Sequence, residues 1–143
     1  MNKNGLKHWN NVYPGPDVIS DDLAKRNIYL AKDKGVCKGM VTIDRDEPDD
    51  YKKIQWPNAA GKPLYLHRLA VHPSWQGQGI AKMLLDFAED YAVKNGFDAL
   101  RIDVYSTSTQ ARNLCVKQSF NEAGNFFSVF QQQPFVCYEK KIG

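Results

Sequence analysis

The chain of 143 residues predicts a mixed α/β fold, one sheet with helices on its faces, and three observations carry that prediction. Apolar runs and alternations bounded by Gly, Pro, Asn and Asp mark strands. A long stretch after Gly79 repeats its apolar residues at helical spacing. The elements then come in the order helix, three strands, helix, strand, helix, two strands, which suits one sheet in a single domain over residues 1–143.

Asp17 to Arg26 reads as a short helix that Asp17 or Ser20 can cap. Ile28 to Ala31 opens the first strand and Val36 to Asp44 the second, a hairpin around Asp33-Lys34-Gly35. Asp46 to Asp50 is a charged loop, Tyr51 to Trp56 an extended piece, and Pro57 to Pro63 a further loop. Leu64 to Val71 continues the sheet. In the helix that follows, Ile80, Met83, Leu84, Phe87, Ala88 and Tyr91 form the inward stripe. Lys82, Asp86, Glu89, Asp90 and Lys94 are left toward solvent, and Asn95-Gly96 supplies the stop. Ala99 to Tyr105 alternates as a strand, and Thr109 to Gln118 is a shorter helix with Ala111, Leu114 and Cys115 inward. Phe126 to Phe130 and Phe135 to Glu139 close the sheet as an antiparallel pair around Gln131 to Pro134.

Chemistry concentrates at Gln76-Gly77-Gln78-Gly79-Ile80-Ala81, between a strand and an amphipathic helix. Glycines there let the backbone approach an anion closely, and the unpaired N–H groups of a new helix point at it. The segment reads as a phosphate cradle, against the plainer reading of a glycine turn that serves packing. A P-loop is excluded because Lys82 is followed by Met83 and the glycine spacing differs. A dinucleotide fingerprint is excluded because Lys82 occupies its third small position. A net charge of +3 with interleaved signs gives no field suited to nucleic acid. Three cysteines, Cys37, Cys115 and Cys137, lack metal-ligand spacing and read as reduced thiols of a cytoplasmic protein. No apolar run is long enough to span a membrane, and no signal peptide is visible.

Arg68-Leu69-Ala70-Val71-His72-Pro73 followed by Gln76-Gly77-Gln78-Gly79-Ile80-Ala81 resembles the acetyl-CoA motif of the GNAT superfamily of N-acetyltransferases. In that motif an Arg or Gln, a Gly, and a Gly or Ala recur at fixed offsets. Arg101-Ile102-Asp103-Val104-Tyr105, then Ala111, Leu114 and Phe120, resemble the following strand and helix. Trp9-Asn10-Asn11, Tyr13-Pro14 and Phe135 to Lys140 resemble the ends of many small bacterial members, so the likeness covers nearly the whole chain. The resemblance implies one mixed, mostly antiparallel sheet with a central splay and helices on both faces. It implies acetyl-CoA as cosubstrate, no metal, and an amine attacking the thioester directly. Backbone groups of Leu69, Ala70 and Val71 would pair with the pantetheine arm, and a backbone N–H near Leu69 or Val71 would polarise the carbonyl. Amides of Gln76, Gly77, Gln78, Gly79, Ile80, Ala81 and Lys82 would hold the diphosphate, and adenine would sit beside the helix from Thr109, near Ser108.

A protonated amine needs a proton acceptor, and His67 and Asp103 are the candidates, each weighed against an ordinary structural role. For Asp103 that role is pairing with Arg68 or Arg101; Arg68 itself is a carboxylate binder or an ion-pair partner. His72, before Pro73, reads as structural. The family's helix usually carries an Asn at its start and, seven residues later, a Tyr that protonates the departing thiolate. Counting back from Phe120 places Ser108 and Cys115 there, which leaves the Cys115 thiol, Tyr105 or water as the acid, with Cys115 reading equally as a core residue. Ser119 replaces the usual glycine before Phe120.

Relative to the family pattern, a first strand and part of a first helix are missing ahead of Trp9, by natural shortening or truncation. That would expose the edge of the Ile28 strand and favour a homodimer. Trp9, Tyr13, Tyr51 and Trp56 either wall the acceptor pocket or close the core. The acceptor is a small amine or a peptide, not nucleic acid or membrane. A CoA-binding module without turnover, or a transferase of a longer acyl group, fits the same residues.

Overall fold

The computed structural model describes residues 17–21, 27–58, 61–128 and 132–142. Trp9, Tyr13 and the tip of the closing hairpin at 129–131 lie outside them. The described chain divides into two compact units, residues 1–44 with 66–90 and residues 45–65 with 91–143.

In the first unit the strand order is β1 (Asp17–Asp21), β2 (Asn27–Asp33), β3 (Val36–Asp44) and β4 (Pro63–Val71), the last of which begins in the other unit. β2 and β3 pair antiparallel from Asn27↔Ile43 to Asp33↔Val36 about Lys34 and Gly35, both at positive φ. Two consecutive left-handed residues make a turn whose twist matches that of its strands. The helix expected over Asp17 to Arg26 does not begin at Asp17, and residues 22–26 lie outside the described residues. Asp17–Asp21 is instead a strand, antiparallel to β2 from Asp17↔Lys32 to Asp21↔Ile28. Its Val18 and Ile19 are β-branched, its Asp and Ser residues are poor helix formers, and β2 offers an edge of backbone partners. β1 therefore covers the β2 edge expected to lie open and forms the edge of the sheet on this side itself.

Helix α1 (Ile80–Lys94) runs from the glycine turn to Asn95-Gly96, as expected. Its buried stripe is broader than the sequence suggested, adding Leu85 and Ala92 to Ile80, Leu84 and Ala88. At its start it lies on β3, and Phe87 packs on Tyr29 at 4.9 Å between ring centroids.

The second unit carries β5 (Ala99–Tyr105), α2 (Thr109–Lys117), β6 (Asn121–Phe126) and β7 (Phe135–Lys141), with β7 between β5 and β6. β5 and β7 pair antiparallel from Ala99↔Lys141 to Tyr105↔Phe135. β6 starts and ends earlier than the expected Phe126 to Phe130. Asn121 to Asn125 has no apolar alternation to announce a strand; pairing with β7 makes it one, with a register shift between Glu122 and Gly124. Tyr51 to Trp56 is not extended, because a 3-10 helix occupies Asp49–Lys53 after Pro48, acidic at its start and basic at its end. Its Tyr51 enters a core cluster with Trp56, Tyr65 and Cys137.

Candidate active site

The middle of β4 holds a backbone irregularity. Arg68 sits at φ 54 inside the strand, a left-handed conformation that costs a non-glycine residue about 1–2 kcal/mol. It is the conformation of a bulge, which breaks alternation and re-aims side chains. Leu64, Tyr65 and Leu66 are consecutively buried before it, whereas Arg68 and Ala70 are exposed after it and His67, Leu69 and Val71 half-buried. The His67 ring points toward β3, with Nε2 4.0 Å from Oδ2 of Asp44. Sequence reasoning did not foresee Asp44, since the pairing depends on the register of β3 against β4.

From Val71 the chain is pinned to β3 before it reaches the glycines. The His72 N–H donates to the Lys38 carbonyl at 2.7 Å. Its Nδ1 accepts from the Ser74 N–H at 3.1 Å, capping the 3-10 turn Pro73–Trp75, so His72 has the structural role expected of it. Lys38, only 8% exposed, lays its Nζ 3.9 Å from the centroid of the Trp75 ring and 3.0 Å from Oδ2 of Asp33. An ammonium so enclosed needs both the carboxylate and the ring face.

Gly77 and Gly79 stand at φ 80 and 81, exposed, with nothing within 4 Å of where a Cβ would be. The backbone thus faces open space that only side chains would fill. α1 begins with the Met83 N–H donating to the Gly79 carbonyl at 3.0 Å, which leaves the amides of Ile80, Ala81 and Lys82 without helical acceptors. An exposed, side-chain-free backbone with unpaired donors fits a phosphate or diphosphate. The Lys82 ammonium is 2.7 Å from Oδ2 of Asp86, and that hydrogen bond raises its pKa and keeps it charged.

Gly39 seats this turn. A Cβ there would lie 2.8 Å from the Ala70 carbonyl oxygen and 2.9 Å from Cγ2 of Ile80, so only a glycine lets β4 and the first turn of α1 settle against β3. A glycine inside an apolar strand pattern is the signal that would have revealed it. Lys38 and Trp75 leave no comparable local trace.

The remaining candidates lie in the second unit. Asp103 is held by Tyr51, and Arg101 is engaged by Glu139. Arg101 donates through Nε to Oε2 of Glu139 at 2.8 Å, and Asp103 accepts through Oδ2 from the Tyr51 hydroxyl at 2.6 Å. Tyr51 is 1% exposed, and burial, reinforced by the Asp103 charge, holds its phenol well above the ordinary value and therefore neutral. The Tyr105 hydroxyl accepts from the Gln133 N–H at 3.2 Å. Ser108 caps α2, its Oγ accepting from the Ala111 N–H at 3.3 Å. Cys115 is 1% exposed and burial pushes its thiol up to about 12. Such a thiol is a poor donor to a thiolate whose own pKa is about 8.5, so the geometry favours the core role. Tyr51 and Trp56 close the core rather than stand free, with the Trp56 Nε1 donating to the Tyr51 carbonyl at 3.0 Å. Among the described residues no group of three or more His, Cys, Asp and Glu side chains could hold a metal ion, and no helix is long and apolar enough to cross a membrane.

The sequence pattern of the acetyltransferase (GNAT) family matches residues 7–120. An uncharacterised N-acetyltransferase of Bacillus subtilis (strain 168), YesJ, is 26% identical over 88 residues, covering 59% of this chain and 48% of that protein. The chain thus spans about half the length of the curated relative it matches. An N-acetyltransferase from Staphylococcus aureus Mu50 superposes with a TM-score of 0.65 at 22% identity, over 82% of this chain and 68% of that one. yncA from Salmonella typhimurium, a structure with its cofactor acetyl-CoA, superposes with a TM-score of 0.63 at 15% identity, over 82% and 65%. These likenesses show the fold, a mixed and mostly antiparallel sheet with helices, and the family pattern runs through the strand and glycine turn described above. By that match across most of its length, the chain belongs to the GNAT acetyltransferase family.

Proposed function

We propose that this chain transfers an acetyl group from acetyl-CoA to a primary amine of a small molecule or peptide. The observation that carries the reading is the open glycine turn of Gly77 and Gly79 at the mouth of α1, seated on β3 through Gly39. Acetyl-CoA supplies an acyl thioester open to attack by an amine, and a thiolate as leaving group. Amides of Gln76 to Lys82 hold the diphosphate in this reading, and the backbone of Leu69, Ala70 and Val71 aligns the pantetheine arm beyond the left-handed Arg68. For the amine, His67, with Asp44 beside it, is the candidate proton acceptor, and Asp103, held by Tyr51, is the rival acceptor or the anchor for the ammonium form. With Cys115 buried and its thiol pushed up to about 12, Tyr105, half-buried, or water is the donor for the thiolate in this reading. Three buried free thiols support a reducing compartment, the cytoplasm.

Release of free thiol from acetyl-CoA, measured across a panel of primary amines, tests the reading. Amine-dependent release that falls at least 10-fold in His67→Ala or Asp103→Asn is expected. Acetyl-CoA binding without release for any amine supports the second reading, a CoA-binding module without turnover, which the buried Cys115 at the family's acid position favours. Release from longer acyl-CoA donors in preference to acetyl-CoA would redefine the donor.

A further inference from the structure

Lys38 is the extra residue of a bulge in β3. β2 and β3 pair Ala31 with Gly39 and Lys32 with Cys37, so the register steps over Lys38. A bulge breaks the alternation of a strand and re-aims the side chain of its extra residue. Cys37, Lys38 and Gly39 are accordingly buried one after another, and the Lys38 side chain reaches the 3-10 turn Pro73–Trp75 ahead of the glycines. Its Nζ lies 3.9 Å from the centroid of the Trp75 ring and 3.0 Å from Oδ2 of Asp33 on the neighbouring strand. Trp75, half-buried, directly precedes Gln76 and the open glycines.

We propose that Lys38 is a positioning residue for the coenzyme: its ammonium, anchored on Asp33, clamps Trp75 and fixes the entrance of the turn that receives the diphosphate; the assignment deepens the acetyl-CoA reading and rests on it. Three features argue for a clamp rather than filler. Burying an ammonium costs free energy that an apolar side chain at the same place would avoid, so packing alone does not call for a lysine there. The carboxylate and the ring face hold the ammonium from two sides, and both attractions strengthen as water is excluded. Lys38 also takes the His72 N–H on its carbonyl at 2.7 Å, so its main chain and its side chain hold the two ends of the segment from His72 to Trp75. With Gly39 seating Ala70 and Ile80, two consecutive residues of β3 bracket the turn from before its first glycine to the first residue of α1. Gln76, Gly77, Gln78 and Gly79 between these points are exposed, so the placing of their amides depends on how firmly both ends are held.

Calorimetry of the full chain with coenzyme A, together with amide hydrogen exchange of residues 72–83 without ligand, tests the clamp. Lys38→Leu and Trp75→Leu are each expected to weaken coenzyme A binding about 10-fold and to speed exchange across that segment about 5-fold, with exchange in β5 unchanged. Lys38→Arg and Trp75→Phe, which keep a cation and a ring face, should stay within about 3-fold of the unaltered chain in both measurements. The double leucine variant should bind no more weakly than either single one, since both remove the same contact. If Lys38→Leu speeds exchange in every element it has lost the fold, and Trp75→Leu, on a surface turn, decides. Unaltered exchange over 72–83, or equal losses in the leucine and the conservative variants, overturns the clamp. Coenzyme A binding that is equal in the unaltered chain and the leucine variants also overturns it and leaves the acetyl-CoA reading intact. An unaltered chain that binds no coenzyme A sinks that reading and the coenzyme role of Lys38 with it, while the exchange result still decides whether Lys38 orders the turn.

Discussion

Arg101 and Glu139 are an ion pair inside the second unit, with side chains 4% and 3% exposed. The guanidinium also donates to the Asn58 carbonyl at 3.1 Å and lies 4.4 Å from the centroid of the Trp56 ring, while Oε1 of Glu139 accepts from the Asn58 N–H at 2.8 Å. Deleting Glu139 leaves the buried guanidinium with only the longer pair to Glu47 at 3.9 Å. Glu139→Gln is expected to cost about 3–5 kcal/mol in urea unfolding, more than Lys82→Ala, whose exposed pair with Asp86 contributes little. Ser119 stands at φ 70 just after α2, where the family usually has glycine. Ser119→Gly removes a left-handed Cβ and should raise stability by about 1 kcal/mol in the same assay, offset in part by the entropy of glycine in the unfolded chain. Cys115→Ser should leave the pH profile of thiol release unchanged and lower stability by about 1–3 kcal/mol, because a hydroxyl replaces a thiol in an apolar site. A profile that moved with Cys115→Ser would return the thiol to the list of acids.

Elements whose residues match one period were legible from the sequence, as α1 and β5 show. Ile80–Lys94 and Ala99–Tyr105 begin and end where the apolar spacing and the Asn95-Gly96 stop put them. Asp17–Asp21 and Asn121–Phe126 were not legible, since neither has a strong pattern and each is a strand because a neighbour offers hydrogen bonds. The same limit applied to the site. Gly77 and Gly79 announced themselves by chain position, whereas Asp44 beside His67 and Tyr51 on Asp103 are meetings that only the folded chain creates. Gly39→Ala tests how elements shape the turn. Its Cβ would push on a backbone carbonyl and on Ile80, so β4 or α1 must shift, at a cost of about 1–3 kcal/mol. Acetyl-CoA affinity should fall about 10-fold with it, as binding calorimetry would show; unchanged affinity would mean the seat on β3 does not shape the turn.

At the scale of the molecule, buried protons tie stability to pH. Burial pushes Cys115 and Cys137 from 9.0 up to about 12, and raises Tyr51 above its ordinary 10.0. Above pH 9 the unfolded chain releases thiol protons that the folded chain retains, so unfolding becomes easier as pH rises toward 12. Each thiol contributes a slope of about 1.4 kcal/mol per pH unit in that window. Urea midpoints should therefore hold between pH 7 and 8.5 and fall steeply from pH 9 upward, less steeply in Cys115→Ala; a flat profile would mean the thiols are hydrated. The account as a whole rests on the glycine turn holding a diphosphate. Calorimetry of the folded chain with acetyl-CoA tests that most directly, alongside Gly77→Ala and Gly79→Ala with their melting temperatures. Saturable heat, weakened at least 10-fold in both variants while they remain folded, is the result expected. No heat from well-folded protein, or equal affinity in both variants, would contradict it.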